Sequence, residues 1–262
     1  NVYFFNVGQA SFTLLRTDTH AVVIDCGTTR LTEVIKRNGV NGKICTTKIH
    51  LVIKEKVDQI LNDVKPTVLI SHMDSDHYCG LDKFFPMDKR EKVVVGGIKN
   101  EKTIIPKDLE GDDVSLYENK IDGRRWDEAH GEQQRNGEQN GGRIDVFVFS
   151  HHGDGHNGEF NLYGVVFDPS QERIPSFSVI SSNPAGRNKI PKSEILGFQY
   201  KTASILKKAP EHPISIYNLI KRSAETVSAS LPVYVTCNSR TAYQLVISSE
   251  GKIKVKNIGD NI

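Results

Sequence analysis

Cysteine is scarce and poorly placed for cross-linking: Cys26, Cys45, Cys79 and Cys237 are widely spaced, and no CxxC pair occurs. That argues against a disulfide framework and a thiolate zinc ribbon, and it fits a reducing cytoplasm. Excess charge is also missing. The net charge is +2, from 34 basic and 32 acidic residues, so no global field demands a polyanionic partner, and a nucleic acid would have to be held by a local basic patch. No apolar run approaches the roughly 20 residues of a membrane span, so no membrane segment is expected. Nor does a basic-then-apolar leader precede the first strand-like run, which begins almost at Asn1. The absent initiator Met suggests a trimmed or processed start, with flanking domains of a larger protein out of view.

What remains is a soluble, globular composition of 262 residues, 37% hydrophobic and 25% charged, long enough to bury a full core. "VYFFNVG", "ASFTLLRT" and "HAVVIDCG" read as short strands separated by Gly8-Gln9 and by the polar Thr17-Asp18-Thr19 turn. Residues 51–64 place Leu51, Val52, Val57, Ile60, Leu61 and Val64 near one helical stripe, ended by Lys65-Pro66. "TVLIS" is a compact buried strand, and "HMDSDHYCGLDKFF" turns into a helix. "EKVVVGG" is another strand. The polar, glycine-rich stretch at 127–143 reads as a long mobile surface loop. "RIDVFVFSHHGDGHN" and "PSFSVISSN" are strands ending in polar clusters. Helices around 192–207 and 213–226 are predicted next, then strands "LPVYVTC", "AYQLVIS" and "KIKVKNI". The pattern is a mixed one, sheets covered by helices, without repeats and best read as one domain spanning 1–262.

Three polar clusters share one location, the end of an apolar strand. The first, in "ISHMDSDHYCGL", packs His72, Asp74, Asp76 and His77 into six positions. An extended segment sets His72, Asp74 and Asp76 on one side, and a helical turn brings His77 round to them. Imidazole and carboxylate without thiolate suit zinc, manganese or iron. Two such clusters can hold two ions about 4 Å apart, which activate a water and clamp a leaving oxygen. The alternative is a polar turn with helix-capping aspartates.

"HMDSDHYCGL" resembles the HxHxDHxxG signature of the metallo-β-lactamase fold, in the HxDxDH form typical of the hydrolase domain of ComEC-type DNA-uptake proteins. "FFNVGQASFTLL" resembles that group's "DVGQGDA" strand, "AVVIDCG" its "ILIDGG" strand, "VFVFSHHGDG" its "HHGS" segment, and "SVISSNPAGRNKIPKSEIL" its "SVG-N-YGHP" segment. "VYVTCNSRTAYQLVISSEGKIKV" is similar to its closing strands. The likeness covers nearly the whole chain in order. It implies an α+β, four-layer αββα sandwich with two divalent ions, zinc or manganese, along one edge. His72 and Asp74 would serve one ion, Asp76 and His77 the other, with one of His151 and His152 as a further ligand. Asp25 is expected either to support the site by hydrogen bonding or simply to form a turn before Cys26-Gly27.

The departures from the family pattern are specific. A strand ending in "TGD", whose Asp bridges the metals, is not found before His151; Gly111-Asp112 and Asp145 are the stand-ins, and His130 is the one further histidine between the clusters. Ile190 occupies the place of the "YGHP" histidine. Asp154 and His156 follow "HHG", where either could join the metals or merely cap a segment. Ser181, Ser182, Asn183, Arg187 and Asn188 suit phosphate oxygens, or form an ordinary turn. Cys79 reads as a buried apolar residue, while Tyr78 and Trp126 either pack or stack on a base.

What the resemblance implies is a metal-dependent phosphodiesterase, a nuclease acting on DNA or RNA. Asp74, Asp76 and His77 would be catalytic, and Ser182, Asn183 and Arg187 would bind substrate. Two readings stand beside it: hydrolysis of a small ester, thioester, lactone or cyclic nucleotide, and a degenerate domain that binds without turnover. The trimmed start adds an effector role in a larger assembly with a protein partner.

Overall fold

A computed structural model describes residues 1–38, 44–72, 74–97, 114–118, 146–154, 175, 177–193 and 209–259. The first three strands are β1 (Val2–Phe5), β2 (Phe12–Arg16) and β3 (Ala21–Cys26), an antiparallel meander. A hairpin of β4 (Val34–Asn38) and β5 (Ile44–Lys48) leads into α1 (Ile49–Leu61). Then come β6 (Thr67–Ile70), α2 (Ser75–Tyr78), α3 (Leu81–Phe84), β7 (Lys92–Gly97) and β8 (Val114–Glu118). The second half supplies β9 (Val146–Val148), β10 (Phe177–Ile180), β11 (His212–Asn218), β12 (Ser223–Ala229), β13 (Val233–Val235), β14 (Ala242–Ile247) and β15 (Ile253–Ile258).

Eight strands form one mixed sheet in the order β15-β14-β1-β2-β3-β6-β7-β8, and three form a parallel sheet, β13-β10-β9. The large sheet switches from antiparallel to parallel at β3, because α1 carries the chain back over one face before β6 begins. Alternation in β1 sends Tyr3 and Phe5 to that face and Phe4 to the other. On the α1 side, Phe5, Phe12, Phe84 and Phe85 are fully buried, with Phe12 centred 4.4 Å from Phe5 and 4.9 Å from Phe84. On the opposite face Phe4 stacks on Phe177 of β10 at 5.8 Å, joining the two sheets through a second apolar cluster.

Three expectations need correcting here. The segment 213–226 is the hairpin β11–β12, not a helix. Ile214 and Ile216 alternate inward with period two, and the Asn218 carboxamide oxygen accepts the N–H groups of Ile220 and Lys221, which closes the turn. In α1, Val52, Val57 and Leu61 are buried as expected, but Leu51 faces solvent and Ile49 and Ile53 take its place. The helix stops at Asn62, whose φ of 46° is left-handed. The expected helix after His72 is two single turns broken at Cys79-Gly80, where a Cβ on Gly80 would lie 2.3 Å from the Cys26 carbonyl oxygen. The loop at 127–143 and most of the helix expected at 192–207 lie outside the described residues. Among the described residues no helix is long and apolar enough to cross a membrane.

Candidate metal centre

The site forms where strands of both sheets end. β3 delivers Asp25, β6 delivers Ser71 to His77, β9 leads into the 3₁₀ turn Ser150–Gly153 that carries His152, and β10 leads to Ser181. β3 and β6 are parallel neighbours, as are β9 and β10, so their carboxyl ends open on the same crevice.

Asp25 sits on the last turn of β3 with φ 56°, a left-handed conformation that Asp tolerates, and it is only 5% exposed. Its Oδ1 accepts the Ser71 N–H at 2.8 Å; its Oδ2 accepts the Ser71 hydroxyl at 2.9 Å and His77 Nδ1–H at 2.8 Å. The carboxylate therefore fixes the His77 ring through Nδ1, leaving Nε2 without a hydrogen bond among the described residues. Asp25 acts on the site through this hydrogen bonding. His152, at φ 55°, donates Nδ1–H to the Ser181 carbonyl at 2.7 Å, and its Nε2 lies 3.0 Å from Asp76 Oδ2. The His152 side chain is 10% exposed.

One ligand atom each from Asp76, His77 and His152 falls within a 4.8 Å cluster. Each histidine spends one nitrogen on an oxygen acceptor and leaves the other for the cluster, the arrangement that orients metal-binding imidazoles. For both His152 contacts to be hydrogen bonds, protons must sit on both nitrogens, and a cation at Nε2 would replace one of them. The donor set fits a divalent ion with nitrogen and oxygen ligands.

His72 and Asp74 lie beside this group rather than in it. His72 Nε2 is 3.1 Å from Asp74 Oδ2, with side chains 45% and 74% exposed, and the His72 ring is centred 3.9 Å from that of His77. The side chain of His151 lies outside the described residues, as do Trp126, Gly111-Asp112, Asp145, His130 and His156. Ser182, expected to bind substrate, is fully buried, and its hydroxyl donates to the Ile190 carbonyl at 2.6 Å, locking the base of a loop. Asn183 turns its side chain back to the Ala185 N–H at 3.0 Å, while Arg187 is exposed. Ile190 is 3% exposed, a core residue. Asp154 pairs with Lys192 at 2.5 Å. Cys79 is exposed rather than buried, its thiol donating to the Thr28 carbonyl at 3.2 Å, and Tyr78 packs on the main core.

Sequence reasoning gave no role to Gln9, Ser11, Gly27 or Ser71. The Ser11 N–H donates to the Asp76 carbonyl at 3.0 Å, and the Ser181 hydroxyl donates to the Ala10 carbonyl at 2.6 Å. The β1–β2 turn thus holds both walls of the cluster. The available signal was polar Gln9 and Ser11 at the end of an apolar strand. Gly27 is required by close approach: a Cβ there would lie 1.7 Å from the Asp76 carbonyl oxygen and 2.8 Å from the His77 nitrogen. Gly27→Ala is expected to push α2 outward, costing about 1–3 kcal/mol as overpacking does and weakening metal binding roughly tenfold. A metal titration with a chelating indicator checks this, and unchanged affinity would count against the close approach as the constraint.

The charges of the metal-free cluster set its pH response. The hydrogen bond from His152 holds the Asp76 carboxyl below its ordinary range, outweighing burial. Burial pulls the His77 imidazole down, but its hydrogen bond to Asp25 and the charges of Asp25, Asp76 and Asp74 together raise it. The raised imidazole stabilises the fold below its unfolded value, and that contribution is lost as pH rises through the folded value. The lowered carboxyl stabilises the fold above its unfolded value, and that is lost as pH falls through the folded one. The metal-free protein is therefore expected to be most stable between roughly pH 4 and 6.5, the ordinary carboxylate and imidazole values. Bound metal requires neutral imidazole, so its stabilisation should grow above that window. Thermal unfolding with and without metal across pH checks the sign; a metal effect that shrinks from pH 6 to 8 would contradict it.

The family model described as the metallo-beta-lactamase superfamily matches residues 5–164, more than half of the chain. The matched span includes Asp25, Ser71, Asp76, His77 and His152. A search of curated proteins found no match.

Proposed function

This chain belongs to the metallo-beta-lactamase superfamily, and from that membership we propose that it is a metal-dependent phosphodiesterase, a nuclease of the ComEC-like subgroup acting on DNA or RNA. Membership supports a metal-dependent hydrolase. The subgroup reading is supported by the ordered run of motifs from "FFNVGQASFTLL" to the closing strands. We propose with it the full αββα layering, two ions of zinc or manganese, and a role inside a larger cytoplasmic assembly. The observation that carries the catalytic reading is the convergence of Asp76, His77 and His152, with both imidazoles oriented by oxygen acceptors.

Asp76, His77 and His152 would hold a divalent ion, which would supply Lewis-acid chemistry there. The protein does the rest. Asp25 and Ser181 keep the ligand nitrogens aimed, and Asp74, three-quarters exposed beside His72, is proposed to take the proton released by the attacking water. His72 and Asp74 are the residues proposed for the second ion. Arg187 is proposed to bind a phosphate of the substrate.

The test is metal content of protein purified without added metal, with DNA and RNA cleavage assayed in manganese, magnesium and zinc, and small esters as competing substrates. Cleavage of nucleic acid above ester hydrolysis is expected. Ester turnover without nucleic acid cleavage would move the reading to small-molecule hydrolysis. Metal binding without any turnover would favour a binding domain, a reading that buried Ile190, standing where a late histidine is usual, also supports.

A further inference from the structure

The segment 183–189 is tied down at every turn. Gly186 N–H and Lys189 N–H donate to the carbonyls of Asn183 and Gly186 at 2.9 and 3.2 Å, and the Ser182 hydroxyl closes the base on Ile190. At its centre is one side-chain amide from another element. Gln9, only 9% exposed in the β1–β2 turn, donates Nε2–H to the Asn183 carbonyl at 3.2 Å and accepts the Asn188 N–H on Oε1 at 3.3 Å. Gly186 lies so flat on this amide that a Cβ would come within 2.6 Å of it. The ring presents Arg187, Asn188 and Lys189 to solvent, with no carboxylate anywhere from Ser181 to Lys192. Lys189 is held over the Tyr217 ring at 5.4 Å, whereas Arg187 has no side-chain partner among the described residues. The ring begins two residues after Ser181, the residue that holds His152, so its start lies within roughly 7 Å of the metal centre's frame.

We propose that Gln9 is a positioning residue for substrate: it closes the 183–188 ring and thereby holds Arg187 toward the phosphates flanking the scissile bond, beside Lys189 held separately over Tyr217, an inference that rests on the phosphodiesterase reading. Only an amide can fill the role. It must donate to one strand of the ring and accept from the other, and a carboxylate would set an oxygen against the Asn183 carbonyl. A rim ordered before binding loses little side-chain and loop entropy when phosphate arrives, and a guanidinium gives it a two-pronged donor.

The experiment is a double-mutant cycle on Gln9→Ala and Arg187→Ala. Its first readout is binding of a fluorescein-labelled oligothymidylate by metal-free protein at low salt; its second is KM and kcat for a phosphodiester with metal present. Each single substitution is expected to weaken binding and raise KM about tenfold, as loss of a charge-assisted contact does, with kcat and metal content nearly unchanged. The double variant should be no worse than about twofold beyond either single one, since Gln9 acts through Arg187. Gln9→Glu, nearly the same shape, should not rescue, and Gly186→Ala should open the ring with the same KM effect. Losses that multiply in the double variant overturn the proposal, as does full rescue by Glu, or a fall in kcat or metal content with KM unmoved. Failure of the wild type to bind the oligonucleotide also overturns it. A wild type that binds through Gln9 and Arg187 yet cleaves nothing would instead sink the phosphodiesterase reading and leave the ring's role standing.

Discussion

The double substitution Asp76→Ala, His77→Ala is expected to abolish metal uptake at the Asp76–His77–His152 cluster and to lower phosphodiester cleavage by on the order of 10³-fold or more, because water there must then lose its proton at its ordinary pKa. Two of the three converging ligands go, and His152 alone offers a single nitrogen. The fold should survive. The Asp76 carbonyl still accepts the Ser11 N–H, and Asp25 keeps both bonds to Ser71. What is lost is the His152–Asp76 contact and the His77–Asp25 contact, about 1–3 kcal/mol together in the metal-free protein. Elemental analysis, circular dichroism and a cleavage time course read the three quantities separately. A folded variant that carries as much metal as the wild type would show that the cluster is not the metal centre.

Asp25 should be nearly as sensitive, and its two substitutions should differ. Asp25→Ala removes the shared acceptor of the Ser71 N–H, the Ser71 hydroxyl and His77 Nδ1–H, and asks alanine to hold a left-handed φ. A stability loss of about 3–5 kcal/mol is expected. Asp25→Asn tolerates the backbone and still accepts from the Ser71 N–H, but it turns an NH₂ toward two donors. His77 must then rotate or move its proton to Nε2, the nitrogen needed by the metal. Asn should therefore cost only about 1 kcal/mol in stability while weakening metal binding about 10- to 100-fold. Denaturant unfolding paired with zinc competition separates the two. Wild-type metal affinity in Asp25→Asn would remove Asp25 from the centre and leave it a turn residue.

These residues also show what could be read from the chain alone. The cluster from His72 to His77 was legible because its members are sequence neighbours at a strand end, and the strands from Val2 to Cys26 were legible because their apolar residues alternate. The choice between His151 and His152 was not, since the ring of His152 is aimed at Asp76 from a left-handed backbone that no letter of the sequence signals. Asp76 is steadied by a backbone N–H from Ser11, and a main-chain donor leaves no letter in a sequence. Gly27 and Gln9 act by proximity to segments far along the chain, so their roles appear only once the sheets have met. The misread helix at 213–226 had both periods available. Burial of Ile214 and Ile216 against the three-stranded sheet decided for the strand.

Asp76 and His152 meet although 76 residues separate them along the chain. Loop-closure entropy grows only logarithmically, so doubling the length of the intervening chain costs about 0.6 kcal/mol. The contact is anchored by the ends of β6 and β9 and by the β1–β2 turn. A change in the length of the connection from β8 to β9 is therefore expected to alter the cost of returning His152 to its carboxylate by well under about 1 kcal/mol, while the strand ends keep the ligands in register.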